Sequence, residues 1–120
     1  MQSAGKTVEA FYAEVRRNDI AAARNHLDPN LTFVGLFETY RNAEQYLAAL
    51  TGLLRIVVRL DVKTIIAQGE DAAVFFELET SAPAAATTLV AEWHQTRDGK
   101  IVHVRSAFDG RPFEAMFLGK

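Results

Sequence analysis

Apolar residues recur at helical spacing near the start of the chain. Val8, Phe11, Tyr12 and Val15 stand at i, i+3, i+4 and i+7, one face of an amphipathic helix that Ser3 is placed to cap. Asn18-Asp19 breaks this helix and caps a short second one marked by Ile20, Ala23 and Leu27. Asp28-Pro29 stops it, because proline disfavours helical geometry in the residue before it. From Leu31 to Phe37 the period falls to two, with Leu31, Phe33, Gly35 and Phe37 on one side, which predicts a strand. Asn42, with Gln45 three residues on, resembles a capping box, and Ala43, Tyr46, Leu47, Leu50 and Leu54 trace a third helix.

Beyond Arg55 the period stays at two. Ile56, Val58, Leu60, Val62, Thr64 and Ile66 alternate with Val57, Arg59, Asp61, Lys63 and Ile65, a strand long enough that it must twist and bend. Gly69-Glu70-Asp71 turns into a strand over Ala72 to Thr80, and the small-residue loop Ser81 to Ala86 leads to another over Thr87 to Thr96. Arg97-Asp98-Gly99 turns into a last strand, Lys100 to Phe108, and Phe113, Met116 and Phe117 mark one apolar turn within Gly110 to Lys120. Connections this short join antiparallel neighbours. The pattern predicts an α+β fold: three N-terminal helices packed on a strongly curved, mainly antiparallel sheet that forms a cone. The open end of such a cone is a natural pocket.

Composition narrows the function. A chain of 120 residues fits one domain, 1–120, able to bury a core without staples, and it contains no cysteine for disulfides, thiol nucleophiles or Cys-ligated zinc. Thirteen Lys and Arg against 15 Asp and Glu give a net charge of −2, which argues against nucleic acid or an anionic membrane as partner. Arg55, Arg59, Asp61 and Lys63 interrupt the most hydrophobic stretch, so no membrane span is expected. The first residues lack a basic start followed by an apolar run, and the expected location is the cytoplasm. The glycines are isolated rather than grouped in a phosphate-binding loop, and there is no Gly-x-Ser-x-Gly elbow or His-Glu-x-x-His pair. Neither a cofactor nor a metal is expected.

Particular segments go further. Val8-Glu9-Ala10-Phe11-Tyr12 with Asn18-Asp19-Ile20, then Tyr40-Arg41-Asn42-Ala43-Glu44, then Ala91 to Ile101 (AEWHQTRDGKI) ending in Phe108-Asp109, occur in an order and spacing similar to the NTF2-like superfamily. Within it they resemble the SnoaL-like group, which includes polyketide cyclases and ketosteroid isomerases. The resemblance implies the cone fold, a homodimer and an apolar pocket, but no single reaction. Its functional residues carry over only in part. The isomerase base falls on Gly35, and the oxyanion-donating tyrosine of the first helix falls on Phe11, with Tyr12 adjacent but pointing elsewhere. The second oxyanion donor, an acid, falls on Glu92, and the epoxide-hydrolase acid of the last strand falls on Ser106.

Glu92 is therefore the principal candidate. A carboxyl among Phe33, Val90, Val104 and Phe108 would be stripped of water, which disfavours its charged form and suits general acid or base work; a hydrogen-bonded structural carboxylate is the alternative. His94, two residues on, would share its face and the proton-transfer role, or be satisfied by a neighbouring backbone group or tyrosine. Phe11, Tyr12, Phe33, Phe37, Tyr46, Val104, Ser106 and Phe108 are the expected lining of a ligand pocket for a small hydrophobic molecule.

The last turn decides which way Glu92 faces. A two-residue Asp98-Gly99 turn sets Glu92 opposite Arg105 and His94 opposite His103, whereas a three-residue turn sets them opposite Val104 and Val102. Only the second collects Val102, Val104, Ser106 and Phe108 on one face, and it is the expectation adopted. The outer face, with Trp93, Ile101, His103 and Arg105, is then the expected homodimer surface. Two functions remain: cofactor-independent isomerisation, cyclisation or dehydration by proton transfer at Glu92, or a non-catalytic binding or dimerisation module.

Overall fold

The computed structural model describes residues 3–117. Helix α1 (Ala4–Arg16) starts where the Ser3 side chain accepts from Lys6 N, and its stripe of Val8, Phe11, Tyr12 and Val15 is buried. Asn18 leaves it in the left-handed conformation (φ 59°), which asparagine tolerates. Helix α2 (Ile20–Arg24) is only five residues long, capped by Asp19. Strand β1 (Leu27–Val34) and the two-residue β2 (Thr39–Tyr40) follow. Helix α3 (Ala43–Leu54) is capped by Asn42, whose side chain accepts from Gln45 N at 2.9 Å. Then come β3 (Val57–Gln68), β4 (Asp71–Thr80), β5 (Ala86–Arg97) and β6 (Lys100–Phe108). A 3-10 turn (Arg111–Phe113) and the four-residue α4 (Glu114–Phe117) complete the described chain. The end of the expected terminal turn, residues 118–120, lies outside the described residues. No helix among the described residues is long and apolar enough to cross a membrane.

The six strands form one curved, unclosed sheet in the order β2-β1-β6-β5-β4-β3. All neighbours are antiparallel except β1 and β6, which run parallel. Helices α1 and α3 lie on the concave face, α1 over β3 to β6 and α3 against β1 and β2. Inward residues of β4 and β5 alternate without a break: Ala72, Val74, Phe76 and Leu78 on β4, Val90, Glu92 and His94 on β5. Register shifts interrupt β3 twice, between Val57 and Arg59 and between Val62 and Thr64, and such bulges bend and twist a strand.

Several expectations need correction. The described chain has four α-helices, not three, because the terminal turn closes into α4. Leu27 opens β1 instead of ending α2. Pro29 is accommodated because the β1–β6 ladder shifts between Leu27 and Thr32, where a residue without an N–H costs no ladder bond. Strand β1 ends at Val34, since Gly35 N turns back to bond Glu38 O at 2.8 Å. The bulges in β3 also expel Val58 and Ile66, each 62% exposed, from the face that strict alternation gave them.

The β5–β6 turn follows neither expected register. Asp98 (φ 54°) and Gly99 (φ 75°) form a two-residue turn, with Arg97 opposite Lys100. Positive φ at both positions marks the type I′ geometry that suits the hairpin twist. The three-residue turn is thus incorrect. One pair further on, the partner of Thr96 is Ile101 while that of Gln95 is His103, so Val102 is an extra bulged residue. The slip moves Glu92 opposite Ser106 and His94 opposite Val104. Glu92 faces inward, opposite neither Arg105 nor Val104. The same bulge turns Ile101, expected on the outer face, fully into the core.

Candidate functional site

The concave face and the helices enclose a cavity of about 880 Å³ between α1, α3, the β1–β2 turn and the C-terminal turn. This lies within the range that holds a drug-sized molecule. Its wall is aromatic: Phe33 stacks on Tyr46 at 5.0 Å, and Phe11 packs edge-on to Tyr12 at 5.2 Å. At the rim Phe37 stacks on Phe117 at 4.8 Å, and Gly110 lies so close that a Cβ there would strike Leu36 and Phe37.

Glu92 reaches this wall from β5 and is 9% exposed. Tyr12, one helical turn from Val8 on α1, donates its hydroxyl to Glu92 Oε1. The same oxygen of Tyr12 lies 3.1 Å from His94 Nε2. Because the Tyr12 proton goes to the carboxylate, the phenol oxygen accepts from an Nε2–H of His94. Nδ1 of that ring is buried with no partner among the described residues. Burial, and then the Glu92 charge, hold the Tyr12 phenol well above its ordinary value, so it remains a donor. Burial and Glu92 do the same to Tyr46, whose hydroxyl has no hydrogen-bond partner among the described residues. Glu92 Oε2 likewise has none, and its side chain keeps 10% of its surface open.

The expected pocket residues divide. Phe11, Tyr12, Phe33, Phe37, Tyr46, Ser106 and Phe108 line the cavity together with Glu92. His94 does not: it is fully buried behind Tyr12, and reaches the cavity only through that hydroxyl. Val104 is likewise sealed in the core. Tyr12 does not point elsewhere, because residues 11 and 12 straddle the buried stripe of α1 and both side chains turn inward. Sequence reasoning missed the rim, formed by Leu36, Glu38, Tyr40, Met116 and Phe117, and the floor residues Leu60 and Phe76. The inward alternation of β4 was a signal for Phe76; the rim left none. A second cleft of about 520 Å³, at the far end of the sheet, is lined by polar groups such as Asp28, Glu70, Asp71 and His103. Glu70 and Asp71 are exposed there, and Asp71 is engaged by Trp93 Nε1 at 2.9 Å. The deeper cavity is thus the one that presents a desolvated ionisable group.

Among curated proteins none matches the chain. Several solved structures share its fold at low identity. A protein from Kribbella flavida is 23% identical, with a TM-score of 0.86 over 99% of this chain and 97% of that one. A Xanthomonas campestris protein with a cystatin-like fold is 16% identical, with a TM-score of 0.86 over 97% and 98%. An epoxide hydrolase from M. tuberculosis is 21% identical, with a TM-score of 0.75 over 97% and 90%. At these identities the likeness concerns the fold alone. The profile of the SnoaL-like domain matches residues 8–104, most of the sequence, and the chain belongs to this SnoaL-like family of the NTF2-like fold.

Proposed function

We propose that the cavity takes a small apolar molecule and that Glu92 accepts a proton from it, in a cofactor-independent isomerisation, cyclisation or dehydration. One observation carries this reading: a nearly buried carboxylate on the wall of an aromatic cavity has one oxygen held by Tyr12 and the other without a hydrogen-bond partner among the described residues. Tyr12 fixes the carboxylate's orientation. His94, behind it, fixes the phenol, and is a positioning residue rather than one that meets the substrate. Tyr46, kept protonated and without a partner, is the available donor to an oxygen on which negative charge develops. The epoxide-hydrolase set is a poorer fit, since Ser106 stands where the resemblance places that enzyme's acid.

The second reading, a binding module without turnover, is favoured by Gly35 and Phe11 at the positions of the isomerase base and tyrosine. Under either reading the protein pairs with a second copy through its outer sheet face, where Leu89, Trp93 and Ile66 stand 59%, 46% and 62% exposed. His103 and Arg105 flank that surface; Ile101 takes no part.

The test follows deuterium exchange at the α-carbons of 2-tetralone, an apolar ketone, by proton NMR in deuterated buffer. Wild-type protein should accelerate exchange and Glu92→Gln should not. Equal exchange by both ends the proton-transfer role of Glu92. Binding of tetralone without acceleration favours the module.

A further inference from the structure

The cavity is unequally charged. The only ionisable carboxylates or bases on its wall, among the described residues, are Glu92 and Glu38; no lysine, arginine or histidine side chain lines it. Glu92 Oε2 is an acceptor without a hydrogen-bond partner among the described residues, on a wall that also carries Phe33, Tyr46 and Phe76. Glu38 stands exposed at the mouth, where it accepts from Tyr40 Oη at 3.2 Å. From these placements we propose that the molecule this cavity selects is an apolar amine, bound as its ammonium with an N–H on Glu92 Oε2. The inference rests on the cavity reading above, and does not require that Glu92 turn anything over.

Three physical terms favour that class. Folding has already taken most of the Glu92 side chain out of water, so an arriving ammonium gains a charge-assisted hydrogen bond with little further desolvation of the acceptor. Tyr12, Phe33 and Tyr46 line the same wall as Glu92, and a cation that reaches the face of such a ring is attracted to it. An anionic ligand meets the reverse, a like charge in a low-dielectric wall and no basic side chain to pair with. Glu38 extends the same sign to the entrance, so the field outside draws a cation toward the mouth. His94 stands behind Tyr12 rather than on the cavity wall, its Nε2 3.6 Å from Glu92 Oε1 and 3.1 Å from the Tyr12 oxygen.

The experiment compares three ligands of one skeleton by isothermal titration calorimetry at neutral pH: 2-naphthylmethylamine, 2-naphthylmethanol and 2-naphthoate. The amine should bind at least about tenfold more tightly than the alcohol, and the carboxylate more weakly than either. In Glu92→Gln, which keeps an acceptor and removes the charge, the amine's advantage over the alcohol should fall to within about twofold. Carboxylate binding as tight as the amine's, or an amine preference that survives Glu92→Gln, overturns the proposal while leaving the cavity reading intact. Binding of none of the three to folded wild-type protein overturns both. If the variant does not fold, the wild-type ranking alone decides.

Discussion

Replacing Tyr12 with phenylalanine removes one oxygen and leaves the buried ring in place. That oxygen serves two partners, donating to Glu92 Oε1 and accepting from His94 Nε2 at 3.1 Å. A hydrogen bond to a charged group contributes about 1.5–3 kcal/mol, and a buried donor left without an acceptor costs about 1–3 kcal/mol. The two losses do not sum, because the imidazole N–H can close on Glu92 Oε1 from its present 3.6 Å. A net loss of about 2–3 kcal/mol follows. For a chain of 120 residues, an unfolding entropy of about 2.1 cal/mol/K per residue converts this to a fall in Tm of about 8–12 °C. Tyr46→Phe is the control: that ring is as well buried, yet its hydroxyl has no partner among the described residues, so its removal should cost under about 1 kcal/mol. Urea and thermal unfolding followed by far-UV circular dichroism measure both. A Tyr12→Phe protein within about 0.5 kcal/mol of wild type, or no less stable than Tyr46→Phe, would refute the three-residue network and the orientation of Glu92 built on it.

The phenols also set an alkaline limit: burial and Glu92 raise Tyr12 and Tyr46, so their neutral forms stabilise the fold fully below the unfolded value near about 10, and that contribution is lost as pH rises toward the folded values. Phenolate absorbance should show Tyr40 titrating at about 12 and the other two appearing only with unfolding; three phenols ionising below about pH 11 in folded protein would contradict the burial argument. For assembly, light scattering at micromolar concentration should give about twice 13.3 kDa, and Trp93→Glu should give the monomer; a monomeric wild type removes the interface.

Much of this architecture was legible because its periods are unbroken. The stripe Val8, Phe11, Tyr12, Val15 repeats at 3.6 and is buried, and the Asn42 cap fixed the start of α3. The inward face of Glu92 was read correctly, but for the wrong register. A bulge carries no residue signature when the inserted residue is Val102, indistinguishable from its pleated neighbours, so both the pairing of Glu92 and the side of Ile101 were lost with it. Strand β2 has two residues and therefore no period to detect. The depth of His94 was hidden for a different reason. Alternation assigns a face but not whether a side chain on it meets a cavity or another side chain, and Tyr12 arrives from an element 82 residues away.

Intermolecular nuclear Overhauser effects from 2-naphthylmethylamine to the isotope-labelled protein locate the bound molecule. With the ligand over Glu92 inside the cone, contacts run from the naphthyl ring to Phe33, Tyr46 and Phe108, with the methylene protons nearest Glu92 and Tyr12. Contacts confined to Trp93 and Leu89 on the outer face, or to the polar cleft beside His103, would contradict that placement.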